Sequence, residues 1–117
     1  MKARLIGFGA LEIGGRRYDE DVVIERGQVR KRKKKPSRPY RDTYGHTPLS
    51  AAEAIPWHGH RLIVGTGAQG ALPVMPEVVE EARRRGIELV IVPTAEACEL
   101  IRSCPSGDVD AVLHVTC

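Results

Sequence analysis

At 117 residues, 42% hydrophobic and 4% aromatic, the chain is long enough for one core of Val, Ile, Leu and Ala and too short for a cofactor domain joined to a substrate domain. No run approaches the roughly 18 apolar residues of a membrane span, and Met1-Lys2-Ala3-Arg4 leads directly into strand-like sequence without a signal-peptide core, so a cytoplasmic protein with no membrane partner is expected. The net charge of +3 divides unevenly, since residues 1–45 carry thirteen Lys or Arg against six Asp or Glu and the remainder five against nine.

In chain order, Leu5-Ile6-Gly7-Phe8-Gly9 and Leu11-Glu12-Ile13 read as short strands, and Gly14-Gly15 before Arg16-Arg17-Tyr18 is a strong hairpin signal. Val22-Val23-Ile24 is another strand and Arg26-Gly27 a turn, after which Val29 opens a basic strand, Arg30-Lys31-Arg32-Lys33-Lys34-Lys35. The first third therefore reads as an antiparallel meander. Strand alternation sends Arg30, Arg32 and Lys34 to one face and Lys31, Lys33 and Lys35 to the other. Residues 36–48 are rich in Pro, Ser, Thr and Gly without an apolar period, which predicts a mobile loop over about 36–49. Ser50-Ala51-Ala52-Glu53 has capping-box spacing and predicts a short helix that Pro56 ends.

Leu62-Ile63-Val64 then runs into Gly65-Thr66-Gly67-Ala68-Gln69-Gly70, a buried strand delivering a glycine-rich turn. Pro76 opens a helix with Glu77, Glu80 and Glu81 early, Arg83, Arg84 and Arg85 late, and Gly86 as its cap. Glu80/Arg84 and Glu81/Arg85 have favourable ion-pair spacing, and Val78, Val79 and Ala82 form the predicted buried stripe. Residues 87–92 are a strand, Pro93-Thr94 opens a second helix with Ala97, Cys98 and Ile101 on one face, and residues 109–115 are the last strand. Right-handed crossovers make these three strands parallel neighbours. The expected fold is one α/β domain over residues 1–117, a mixed sheet with an N-terminal antiparallel meander and a C-terminal βαβαβ parallel portion.

Gly65, Gly67 and Gly70 fit the G-x-G-x-x-G spacing of dinucleotide loops, where glycine lets the backbone approach a pyrophosphate. Pro73 and Pro76 delay the helix past the third glycine, and the next strand ends in Val90-Ile91-Val92-Pro93 with no ribose-binding acid, so no cofactor is expected. A tight structural turn is the first reading and a pocket for a small anion the second, because parallel sheets place ligands at the carboxyl ends of their strands. Thr66 and Thr94 share that edge, with hydroxyls suited to capping a helix, the favoured role, or to orienting a ligand. Gly65, Thr66, Gly67, Gly70 and Thr94 are thus the candidate ligand-binding residues. Arg30, Arg32, Lys33, Lys34 and Lys35 form a candidate basic surface, read first as a solvated edge strand guarded against aggregation. Its second reading is a contact for an acidic partner or nucleic acid. With only Tyr40 and Tyr44 near it for base stacking, nucleic acid is not favoured.

His58 and His60 share a face of an extended segment and His46 would be a third ligand, but no carboxylate at ligand spacing completes the set and no metal is expected. His114 and Cys117 are a weaker pair. Cys98, Cys104 and Cys117 contain no Cys-x-x-Cys spacing and read as three buried thiols. On a helix Cys98 and Cys104 are too far apart to bridge, which leaves Cys117 as a required member of any disulfide. With His114 or His58 as base a cysteine would be a nucleophile, yet no signature such as G-x-S-x-G surrounds one. Asparagine is absent and glutamine appears only at Gln28 and Gln69, a composition leaning towards a thermophile.

Phe8-Gly9 followed by Ile13, Gly15, Tyr18 and Asp21, then Leu62-Ile63-Val64-Gly65-Thr66-Gly67, then Pro93-Thr94 with Ala97, occur in this order along nearly the whole chain. In these the chain resembles the Mth938-like family, small proteins of unknown function that include mitochondrial members involved in respiratory complex I assembly. The resemblance implies a compact α/β domain, no required cofactor, no established chemistry, and a glycine turn next to Pro93-Thr94. Many members carry a Tyr-Asn pair in the last helix, where this chain has Cys98-Glu99-Leu100-Ile101-Arg102. The expected function is a binding or assembly-factor domain with a protein partner, a pocket at the Gly-Thr-Gly turn and a basic contact strand. The alternatives are an enzyme acting on a small anionic substrate at that pocket and a weak nucleic-acid binder.

Overall fold

In the computed structural model, which describes residues 1–104 and 109–117, the strands divide into two sheets. β1 (Ala3–Gly7), β2 (Ala10–Ile13) and β3 (Arg16–Tyr18) form an antiparallel three-stranded sheet. Gly14 and Gly15 turn β2 into β3 with φ of +59° and +83°, the left-handed pair that a two-residue hairpin requires and that a Cβ resists. β4 (Val22–Glu25), β5 (Gln28–Lys31), β6 (Arg61–Thr66), β7 (Glu88–Val92) and β8 (Val109–His114) form the second sheet in the order β5-β4-β8-β6-β7. β6 is parallel to both its neighbours, β7 and β8, as the crossover rule predicts, and β4 closes the other side of β8 antiparallel. The meander is corrected in one respect: it breaks after β3, because the apolar residues of β4 pair with β8 rather than with β3.

Alternation along β6 divides the core. Ile63 faces α3 (Thr94–Ser103) and the small sheet, meeting Ala97, Cys98 and Ile101 from the helix and Ala3, Leu11 and Ile13 from the strands. Leu62 and Val64 face Val78 of α2 (Pro76–Arg84) together with Leu49, Ile55 and Leu72. β6 is therefore covered on both sides, which is why its sequence is continuously apolar.

Four expectations on local structure are corrected. Val79 is 47% exposed, because a residue adjacent to Val78 is rotated roughly 100° around the helix from the buried stripe. Glu80 pairs with Arg83 and not Arg84, whereas the expected Glu81–Arg85 pair forms at 2.5 Å and Glu81 also takes Arg84. Residues 50–53 make a single turn, closed by the Glu53 amide on the Ser50 carbonyl at 3.2 Å, and not a helix. The basic strand ends at Lys31, after which a 3-10 turn (Lys35–Tyr40) and α1 (Arg41–Tyr44) follow. β5 does lie at the sheet edge. Among the described residues, no helix is long and apolar enough to cross a membrane.

The three cysteines are free, and only Cys98 is buried, with Cys104 and Cys117 half-buried. Burial pushes the Cys98 thiol up to about 11, with the Arg102 charge opposing in part, so it is not a nucleophile near neutral pH. Iodoacetamide applied to the folded protein at pH 8 is expected to alkylate Cys104 and Cys117 and spare Cys98 until denaturant is added. Peptide mass spectrometry reads the difference, and early modification of Cys98 would contradict its placement.

Candidate functional site

The Gly-Thr-Gly turn lies at the carboxyl end of β6, beside the start of α3. Thr94 is fully buried; its hydroxyl accepts the Gly67 amide at 2.8 Å and donates to the His114 carbonyl at 2.5 Å. Thr66 donates to the Val92 carbonyl at 3.1 Å. Neither hydroxyl caps a helix: Pro93 is the cap of α3 and has no side-chain donor or acceptor. The two threonines instead fasten the turn to β7 and β8. Gly70 packs beside Pro93, so the glycine turn and Pro93-Thr94 are neighbours.

The remaining amides of the turn are also satisfied from within the chain. Ala68 donates to the Thr116 carbonyl at 2.7 Å, and Gln69 and Ala71 donate to the main-chain oxygen of Cys117 at 3.1 and 2.9 Å. Gly70 donates to Gly67 and Leu72 to Thr66. Every N–H from residue 67 to 72 thus has a protein acceptor, and an anion at this turn would have to displace residues 116–117.

Arg32, expected on the basic surface, is buried at 3% exposure. Just beyond the end of β5, the chain holds it through its own amide, which donates to the Asp21 carbonyl at 2.9 Å. Its guanidinium forks onto both oxygens of Glu53 at 2.8 Å, reaches Asp21 Oδ2 at 2.8 Å and donates to the Pro48 carbonyl at 3.0 Å. Glu53 also accepts from the Ser37 hydroxyl, which hydrogen-bonds Ser50 at 2.7 Å. A planar fork suits this bidentate task better than an ammonium. The network ties residues 37, 48, 50 and 53 to the end of β5.

Asp21 extends the network to β8. Its Oδ2 bonds His114 Nδ1 at 2.8 Å, its Oδ1 accepts the Val115 amide at 3.0 Å, and His114 Nε2 meets the Thr116 hydroxyl at 3.1 Å. Burial alone would raise the Asp21 carboxyl, but the His114 hydrogen bond and charge, the Val115 amide and Arg32 together hold it below its ordinary value. Burial likewise opposes the charge on Arg32, and Glu53 and Asp21 outweigh it.

Arg32 and His114 form the back of a cavity of about 590 Å³ whose other walls include Lys34, Arg38, Arg41, His46 and Thr47. Lys34, Arg38 and Arg41 are exposed. Among the described residues, Arg32 has carboxylate partners, whereas Lys34, Arg38 and Arg41 have none within ion-pair distance. Arg30 is turned elsewhere, to Glu25 and the Ala54 carbonyl. Of the three histidines weighed together as ligands, His46 lines the cavity while His58 is held by Glu25 at 2.6 Å and Arg26 at 3.1 Å. A cavity walled by cations suits an anion, not a metal ion.

Sequence reasoning missed Arg38, Arg41, Thr47 and the pairing of Asp21 with His114. Arg38 and Arg41 stand three apart in a Pro-rich stretch, a helical spacing that is the one local signal for them.

Residues 4–101 match the family described as "Protein of unknown function (DUF498/DUF598)". The chain belongs to this family. Among solved structures, the conserved hypothetical protein PH1505 from Pyrococcus horikoshii OT3 is similar at 29% identity with a TM-score of 0.83, over 100% of both chains. The protein titled MT938 is similar at 26% identity and a TM-score of 0.66, over 94% of this chain and 93% of that one, which supports the Mth938-like fold. An outer membrane protein from Bartonella henselae shares the fold at 13% identity, with a TM-score of 0.62 over 97% and 96% of the two chains. No curated protein matches.

Several residues that carry the family resemblance converge beside the cationic cavity. Asp21 holds His114, Thr94 donates to the His114 carbonyl while accepting the Gly67 amide, and the Gly9 amide donates to the Val115 carbonyl at 2.7 Å.

Proposed function

We propose that this member of the family is an anion-binding domain, in keeping with the expected binding or assembly-factor role, and that its site is the cationic cavity beside His114. The observation that carries the reading is the convergence of Lys34, Arg38 and Arg41, without carboxylate partners among the described residues, on a cavity backed by buried Arg32. Like charges gathered in a concavity repel one another, and an anion entering between them relieves that repulsion while its field is focused by the protein walls. Asp21 and Glu53 fix the guanidinium of Arg32, the buried member of the cavity lining. The engaged amides of the Gly-Thr-Gly turn argue for placing the anion here and not at Gly65, Thr66, Gly67, Gly70 and Thr94. The inward turn of Arg32 and the end of the strand at Lys31 break up the flat basic face, which argues against the nucleic-acid alternative. Three free thiols suit the reducing cytoplasm expected as its compartment.

The test is calorimetric titration with sodium phosphate at low ionic strength. Binding is expected for the wild type and a loss of about tenfold or more in affinity for Lys34→Glu/Arg38→Glu, without a fall in melting temperature, because both side chains are exposed and their mutual repulsion is relieved. Equal affinity in the two proteins would overturn the assignment of the site.

A further inference from the structure

We propose that the ligand of this site is a condensed phosphate: two or more linked phosphoryl groups, either free or carried on a nucleoside. The inference rests on the anion-binding reading above and adds the length of the ligand. A second hollow of about 600 Å³ shares Arg32, Lys34 and Arg38 with the first and is lined as well by Thr116, Lys33 and Lys35. The two hollows adjoin at these three side chains, and we take them as lobes of one trough with a cationic shared wall.

Charge along the second lobe favours the same occupant. Three acids line it, and each already has partners within the chain: Glu20 has Lys31 at 3.2 Å, Asp19 has Arg17 at 2.8 Å, and Asp21 has Arg32 and His114, each at 2.8 Å. What remains is Arg41 in the first hollow alone, Lys34 and Arg38 in both, and Lys33 and Lys35 in the second alone. A single carboxylate or orthophosphate reaches one lobe. A condensed phosphate places consecutive charges next to one another without an intervening sugar, so one molecule meets the shared cations and those of both lobes. Thr47 in the first lobe adds a hydroxyl donor for a terminal oxygen.

The experiment compares orthophosphate, pyrophosphate, tripolyphosphate, ATP and a single-stranded oligonucleotide by calorimetry at matched ionic strength. Affinity is expected to rise about tenfold or more from orthophosphate to tripolyphosphate, because charge pairing accumulates with each added group. Arg41→Glu and Lys33→Glu/Lys35→Glu alter different lobes of the trough, and each is expected to weaken tripolyphosphate several-fold. ATP binding as tightly as tripolyphosphate would identify a nucleoside carrier, and weaker ATP binding a free condensed phosphate; both support the proposal. Equal affinity for orthophosphate and tripolyphosphate would overturn it while leaving the anion-binding reading intact, and no binding of any anion would overturn both. An oligonucleotide that binds more tightly than tripolyphosphate at equal phosphate concentration would overturn it in favour of nucleic acid.

Discussion

Replacing Arg32 by alanine is expected to lower the unfolding free energy by about 3–5 kcal/mol, because it removes the cation from a buried cluster and leaves two carboxylates facing one another without it. For a domain of this size that corresponds to a fall in melting temperature on the order of 20 °C. Asp21 and Glu53 are both buried, so water cannot readily replace the guanidinium. Arg32→Lys is expected to recover only part of the loss: one ammonium cannot fork onto Glu53 while also meeting Asp21 and the Pro48 carbonyl. Thermal unfolding followed by circular dichroism, with Lys33→Ala as an exposed control, decides the matter, and similar shifts in the two variants would show that the network does not anchor the fold. The same cluster sets the acid limit. The Asp21 carboxyl is held below its ordinary value near 3.8, so its contribution is fully present above that pH and is lost as pH falls through the lowered native value. Asp21→Asn is expected to melt lower at neutral pH and to show a flatter decline below about pH 4 than the wild type.

The second half of the fold was readable because its signals are local. Pro76, Gly86 and Pro93 punctuate helices and strands whose apolar periods are unambiguous, and handedness then orders β6, β7 and β8. The first half was harder because β4 chooses its partner across the length of the chain, pairing Val22 with Leu113, and nothing in Val22-Val23-Ile24 records that choice. Arg32 illustrates the same limit. Within six consecutive cations, burial of one depends on Asp21, Pro48 and Glu53, which are distant in sequence. The Ser50-x-x-Glu53 spacing predicts a capping box, whereas the two side chains are committed to hydrogen bonds with Ser37 and Arg32. The glycine turn could be recognised as tight. What it is tight against, the main chain of residues 116–117, was invisible until β8 was placed beside β6.

That packing makes Gly67→Ala the second large effect. A Cβ at Gly67 would lie 2.3 Å from the Cys117 carbonyl carbon and 2.5 Å from the Thr116 oxygen, on a residue whose φ is +108°. Both atoms belong to the backbone, so no side-chain rotation relieves the overlap, and the turn and residues 116–117 must separate. Strain at a glycine-type backbone angle costs about 1–3 kcal/mol, overpacking costs a similar amount, and the loss expected is about 2–5 kcal/mol. Gly15→Ala separates the two contributions. Gly15 also has a positive φ, +83°, but nothing lies within 4 Å of its Cβ position, so that variant carries the conformational cost alone, about 1 kcal/mol. The difference in melting temperature between the two variants measures the contact. Separation of the turn from residues 116–117 also breaks the Ala68 bond to Thr116 and shifts the strand that presents His114 to Asp21. Gly67→Ala is therefore expected to weaken phosphate binding and Gly15→Ala to leave it unchanged. Equal melting temperatures and equal affinities would mean that residues 116–117 do not rest on the turn, and that the turn holds neither β8 nor the cavity beside it.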